Sequence, residues 1–354
     1  QGGYVSLETD RANLPAALRL AAEVLREPSF PEGEFATLKQ EILASIEQEK
    51  SQPESLCSNA FWRHVTPYPA DDIRYTATPD EEITRVNAVK LGDLKAFHDA
   101  FYGASSAQLA VVGDFDAAAL KAEARELFGD WKAARPFERL VYSQKDASPD
   151  QIKIETPDKT NAQMLIGMTF PLRDDDPDYP ALTLANFMLG GGFLNSRLAV
   201  RIRQKEGLSY GVGSFLSVDP QDKYALFGAQ AIFAPQNAAK LETAFREEID
   251  RVVKDGFTED ELKAAKDGWL QARKVERSQD QRLVSKLRYN EYLGRTMAWQ
   301  GELEKNVSAL TAKQVREAFA RHIATAKLTF AKAGDFAAAS KAPAAAAAAP
   351  AAAK

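Results

Sequence analysis

The chain has 354 residues, 45% of them hydrophobic and 27% charged, with a formal net charge of −5. That is enough for two domains of ordinary size with real cores, and an acidic balance with no basic run argues against nucleic acid as the main partner. No apolar stretch is long enough to span a bilayer, and a single cysteine, Cys57, excludes an intrachain disulfide and reads as a small core residue.

The chain opens on Gln1 rather than methionine, which reads as a processed or truncated product. Leu14 to Glu27 has an amphipathic helical pattern with Leu18, Ala21, Ala22 and Leu25 on one face, and Pro28 and Pro31 stop it. Helices follow over Glu32 to Lys50, Leu56 to Val65 and Leu91 to Tyr102, with a proline-rich loop from Pro67 to Pro79. Ala107 to Phe115 reads as a buried strand. After a linker at 136–149, strands are expected at Asp150 to Glu155, Ala162 to Phe170, Tyr210 to Val218 and Tyr224 to Phe233. A buried helix is expected at Tyr179 to Leu189, and further helices from Asn237 onward. Residues 337–354 form an Ala/Pro/Lys tract expected to be a disordered tail.

The chain also matches itself. The run from Val86 through Leu94, Phe97 and Tyr102 to Gly113-Asp114-Phe115 recurs as Val307 through Val315, Ala318 and Ile323 to Gly334-Asp335-Phe336, at a constant offset of 221 residues. Upstream, Phe30 to Phe35 matches Phe257 to Leu262 at an offset of 227. A period this long means two homologous domains, not a solenoid. Residues 1–135 form the first repeat unit and 150–336 the second. Tyr4 aligns near Tyr224, so nothing in the first unit corresponds to Gln151 through Gln221, and its front is expected to be missing. Strands come early and helices late in the second unit, giving an α+β class with a largely antiparallel sheet.

The most informative stretch is Gly190-Gly191-Gly192-Phe193, followed by Ser196-Arg197-Leu198 and then Arg203-Gln204-Lys205-Glu206-Gly207-Leu208-Ser209-Tyr210. Three glycines free the backbone for positive φ or close approach. Leu198, Ile202 and the stem of Lys205 define a helix that Gly207 ends, and a strand follows. Arg203 and Tyr210 thus flank one helix-to-strand corner. This run resembles the signature of the C-terminal half of the pitrilysin/insulinase-type zinc metallopeptidases. The resemblance implies that Arg203 and Tyr210 hold the substrate backbone near the scissile bond. Gly190, Gly191, Gly192 and Phe193 are then candidate substrate-binding positions, and the strand edge from Ser214 to Val218 is a candidate for pairing with an extended peptide, with plain sheet as the alternative.

The three histidines, His64, His98 and His322, match neither H-E-x-x-H nor H-x-x-E-H, so no catalytic zinc site is expected in this chain. At the position matching the family's later glutamate ligand stand Ala44 and Ser45, which cannot bind zinc. Asp174-Asp175-Asp176 before Pro177 reads as a solvated turn. The resemblance therefore implies the non-zinc half of a clamshell metalloendopeptidase, inactive alone, with zinc in a partner half and peptides as substrates. A catalytically inactive assembly member of the same superfamily and a stand-alone peptide-binding module are the alternatives. Resemblance to bacterial members with alanine- and proline-rich tails points to the periplasm, with a cytoplasmic or mitochondrial site as the alternatives.

Overall fold

A computed structural model describes residues 3–145 and 147–341. Six helices come first: α1 (Leu14–Arg26), α2 (Glu32–Glu49), α3 (Pro53–Val65), α4 (Pro79–Ala88), α5 (Leu91–Phe101) and α6 (Ala117–Phe128). Then follow β1 (Gln151–Glu155), β2 (Ala162–Phe170), α7 (Tyr179–Asn186), β3 (Ser209–Val218) and β4 (Ala225–Phe233). The chain continues with α8 (Ala238–Asp255), α9 (Glu259–Arg277), α10 (Asp280–Tyr292), α11 (Met297–Ala309) and α12 (Ala312–His322). Strand β5 (Thr329–Gly334) and helix α13 (Phe336–Lys341) end the described chain.

The chain divides into two compact units. One comprises residues 1–45, 81–141 and 271–302, and the other 46–80, 142–270 and 303–354. Helix α3 thus belongs to the second unit and α10 to the first.

The second unit is built on a mixed five-stranded sheet ordered β1-β5-β2-β4-β3, in which only the β1–β5 pair is parallel. Every residue of the central strand β2 is buried, because helices cover both faces. On one face α3 supplies Cys57, Phe61 and Val65 against Leu165, Leu226, Ala331 and Ala333. Burial pushes the Cys57 thiol up to about 12, so it behaves as a small hydrophobe, as expected of a core cysteine. The alternate residues of the same strands face the other way: Phe227 meets Phe319 of α12 edge-on at 5.6 Å, and Lys332 pairs with Glu242 of α8 at 3.0 Å. On the α3 face Gly167 and Gly228 lie opposite each other, where the Phe61 and Phe215 rings occupy the space that side chains would need.

The first unit is helical among its described residues, and the strand expected at Ala107 to Phe115 is not there. Residues 107–112 have no regular secondary structure and enter no ladder, and no strand lies in this unit among the described residues. The tail expected from Ala337 also begins differently. Asp335 caps it by accepting from the Ala338 amide at 2.9 Å, Glu155 accepts from the Phe336 amide at 3.0 Å, and the short helix α13 results. Residues 342–354 lie outside the described chain.

Candidate functional site

Between α7 and β3 the chain does not form an ordinary α-helix. Phe187–Gly191 and Ala199–Lys205 are π-helical, separated by a one-turn helix at Phe193–Asn195. Such wide turns are rare and gather at functional sites. Of the two uses the sequence suggests for the glycines, close approach is the one seen, because none of Gly190, Gly191 and Gly192 has positive φ. A Cβ on Gly190 would lie 2.3 Å from the backbone nitrogen of Ser214, and one on Gly192 would lie 2.6 Å from the Phe187 carbonyl oxygen. The glycines let the turn lie directly on strand β3. Gly207, at φ +62, is the residue here that uses the left-handed region, and it ends the π-helix.

Strand β3 then carries a bulge. Ser209 pairs with Phe233 and Gly211 with Ile232, so Tyr210 is the extra residue on this strand. The Ser209 hydroxyl fixes the irregularity, donating to the Ile232 carbonyl at 2.7 Å and accepting from the Gly211 amide at 3.1 Å. A bulge re-aims the side chain it carries. Tyr210 is 80% exposed, high for a large aromatic on a strand.

The corner is tied down from behind. Arg197 makes two hydrogen bonds of 2.7 Å to Glu261 and lies over the Phe257 ring at 4.5 Å. Burial pushes the Glu261 carboxyl up, but the Arg197 guanidinium and the Thr258 donors more than reverse this, leaving it at about 2. Arg201 pairs with Glu206 at 2.9 Å and Glu248 at 3.2 Å, and also with Glu247. Gln204 donates to the Leu194 carbonyl at 2.7 Å.

Arg203 sits between these anchored residues, exposed in the last turn of the π-helix. Neither Arg203 nor Tyr210 has a hydrogen-bond, ionic or ring partner among the described residues, and no such contact joins the two. Ser214 is in a different position. It is buried against Gly190, and its hydroxyl donates to the Asn186 carbonyl at 3.3 Å. Phe193 lies on the one-turn helix, with its side chain outside what is described. Sequence reasoning missed Ser209 and the Arg197 and Arg201 anchors. A serine two residues before Gly211 at the head of a strand was the only trace of the first.

The histidines do not form a zinc site. His64 is bonded to the Ser148 carbonyl at 2.7 Å and His98 to the Leu25 carbonyl at 2.8 Å. The one three-ligand grouping among the described residues is Asp176, Asp178 and His322. There the Asp178 carboxylate is already taken by Arg321 and by His322 at 2.9 Å. With one imidazole and an arginine on its shared carboxylate, this set does not fit a catalytic zinc. In the Asp174–Asp176 turn, Asp175 pairs with Arg173, and Asp176 accepts from the Asp178 amide at 2.8 Å.

The structure of a peptidase M16 inactive domain from Pseudomonas fluorescens matches with a TM-score of 0.75 at 24% identity, over 90% of this chain and 74% of that one. The family model described as peptidase M16 inactive domain matches residues 88–268, and the chain belongs to that family. It is 25% identical over 261 residues to an uncharacterized zinc protease of Streptomyces coelicolor, covering 72% of this chain and 54% of that protein. It is also 22% identical over 330 residues to a non-peptidase homolog of Helicobacter pylori, covering 92% of this chain and 74% of that protein. The chain thus spans about half the length of the Streptomyces relative.

Proposed function

We propose that this chain is the substrate-holding, non-zinc half of a two-part peptidase, in which a partner half carries the zinc and the water-activating glutamate. In this reading Arg203 and Tyr210 donate hydrogen bonds to backbone carbonyl oxygens of a peptide near the bond being cut. A guanidinium and a phenol are suited to that task, since each can strengthen its bond as negative charge develops on oxygen. The observation that carries the reading is the pair of donors left exposed and without partners on a corner whose backbone is anchored by Ser209, Arg197 and Arg201. An anchored backbone limits the reorganisation needed for its side-chain donors to meet a substrate. Gly190 and Ser214 shape the corner from within, while Gly191, Gly192 and the Phe193 turn form its outer lip. The isolated chain is inactive in this reading, and the periplasm is the proposed compartment.

The H. pylori relative's name favours a second reading, in which the chain keeps the fold and serves assembly without cleavage. One experiment separates the two. The protein is purified from its source with whatever accompanies it, its zinc content is measured, and fluorogenic peptide cleavage is compared for wild type, Arg203→Ala and Tyr210→Phe. A tenfold or greater loss of kcat/KM in each variant, about 1.4 kcal/mol, is expected with zinc present. Cleavage unchanged by both substitutions, or no cleavage and no zinc, overturns the peptidase reading.

A further inference from the structure

Among the described residues of the second unit, two large apolar side chains stand almost wholly in solvent: Tyr210, at 80%, and Ile73, at 79%. A lone exposed isoleucine is ordinary on a protein surface, so the setting of Ile73 decides whether it matters. Helices α3 and α10 begin and end 227 residues apart, while α4 and α11 end 221 apart. The first copy of the repeat thus holds six residues more between α3 and the end of α4, and the second copy shows that the helices form without them. Insertions of this kind lie on the surface and are where new contacts are added to a fold.

The inserted loop is tightly held. Asp72 accepts two bonds from the Arg74 guanidinium, at 2.8 and 2.6 Å, and one from the Arg74 amide at 2.8 Å, so Ile73 is the apex of a closed clasp. The Asp72 amide donates to the Pro69 carbonyl at 2.9 Å, and the Tyr75 amide to the Asp72 carbonyl at 3.0 Å. Arg74 lies 4.3 Å over the ring of the buried Tyr68. From α3, Arg63 donates to the Tyr75 hydroxyl and to the Thr76 carbonyl, each at 2.8 Å. An aliphatic side chain on so constrained a backbone loses little freedom on being covered, which is the property of an interface anchor.

Beside this knob is a hole. A cavity of about 300 Å³ lies along the same loop, walled by Pro67, Tyr68, Pro69 and Tyr75 with Arg63 at its side, and it has room for a branched aliphatic side chain. Ile73 is not part of its wall, so the knob does not fill the hole of its own chain. A protrusion and a recess on one short loop are what a two-fold contact requires, since each surface meets an identical copy of itself and both insertions form at once. We infer that this loop is a self-association surface, in which Ile73 of each chain enters the cavity between Pro67 and Tyr75 of a second copy of this chain. Asp71, exposed two residues before Ile73, is then carried toward the Arg63 wall of the other chain, so the charges match in sign. One loop is small against the roughly 1,200–2,000 Å² of a stable interface, so the association is weak and depends on concentration.

The test is sedimentation velocity of the full chain from about 1 to 100 µM, over which the average mass is expected to rise toward that of two chains. Ile73→Asp removes the knob and Pro69→Trp blocks the hole. Both positions are exposed, and unchanged thermal unfolding verifies that the variants are folded. Each variant alone is expected to weaken self-association by about tenfold or more. An equimolar mixture of the two is expected to associate more tightly than either alone, because the knob of the Pro69→Trp chain still fits the hole of the Ile73→Asp chain. Three results overturn the inference: a wild type that stays monomeric over the whole range, an Ile73→Asp chain that associates as the wild type does, or a mixture no tighter than its components. None bears on Arg203 or Tyr210, so the proposed function stands or falls separately.

Discussion

Tyr210 and Arg203 make no intramolecular bond, so removing their donors should cost the folded chain almost nothing. Tyr210→Phe and Arg203→Ala are each expected to shift stability by less than about 0.5 kcal/mol in urea unfolding. Ser209 is the opposite case. Its hydroxyl serves the part-buried Ile232 carbonyl and the Gly211 amide, and Ser209→Ala is expected to cost about 1–2 kcal/mol while lowering any activity that depends on the aim of Tyr210. Such a loss of activity with Tyr210 still in place would mark Ser209 as a positioning residue. Glu261 gives the pH signature. Its folded pKa of about 2 lies below the ordinary carboxylate value near 4.3, so its stabilisation is fully present above that value and is lost as pH falls toward 2. Glu261→Gln is expected to cost about 1–2 kcal/mol at pH 7, discounted for its partial exposure, and the gap from wild type should narrow in acid.

The elements that were legible in the sequence were those written in periodicity. The apolar spacing of Leu18, Ala21 and Ala22 gave α1, and the largely apolar run at Ala162–Phe170 gave β2, because burial imposes those patterns directly. What the sequence hid were features set by tertiary contact. A helical stripe at Leu198, Ile202 and Lys205 does not distinguish a π-turn from an α-turn, and a bulge leaves no mark on alternation when a small serine and a glycine flank it. Sequence allowed two reasons for the glycines, and tertiary contact decides between them: close packing on Ser214, not positive φ, requires Gly190. Substitutions separate these causes. Gly190→Ala is expected to cost about 2–3 kcal/mol because a backbone atom blocks it, while Gly211→Ala, with nothing within 4 Å, should be close to neutral in urea unfolding. The Ala107 segment had a strand's composition but needed a neighbour that the sequence does not supply.

For the whole molecule, the division into a unit with a sheet and a unit without one predicts unequal stability. Amides of β2, β4 and β5 should exchange only through extensive unfolding, whereas the first unit's helices should open at much lower free energy. Hydrogen exchange mapped along the chain checks this. Uniform protection across both units would mean that the exposed apolar side chains of the first unit are compensated elsewhere.

The bulge at Tyr210 has a genetic consequence. Because Tyr210 is surplus to the pairing count, losing its single codon would leave Ser209 and Gly211 as consecutive partners of Phe233 and Ile232, with every other residue of the strand keeping its partner. In-frame deletion of one triplet could therefore remove the phenol and also regularise the ladder. A gene of this kind is then one short deletion away from encoding a protein that folds at least as well and has shed a candidate catalytic group. Descent of scaffold proteins from peptidases would need no period of instability along that route.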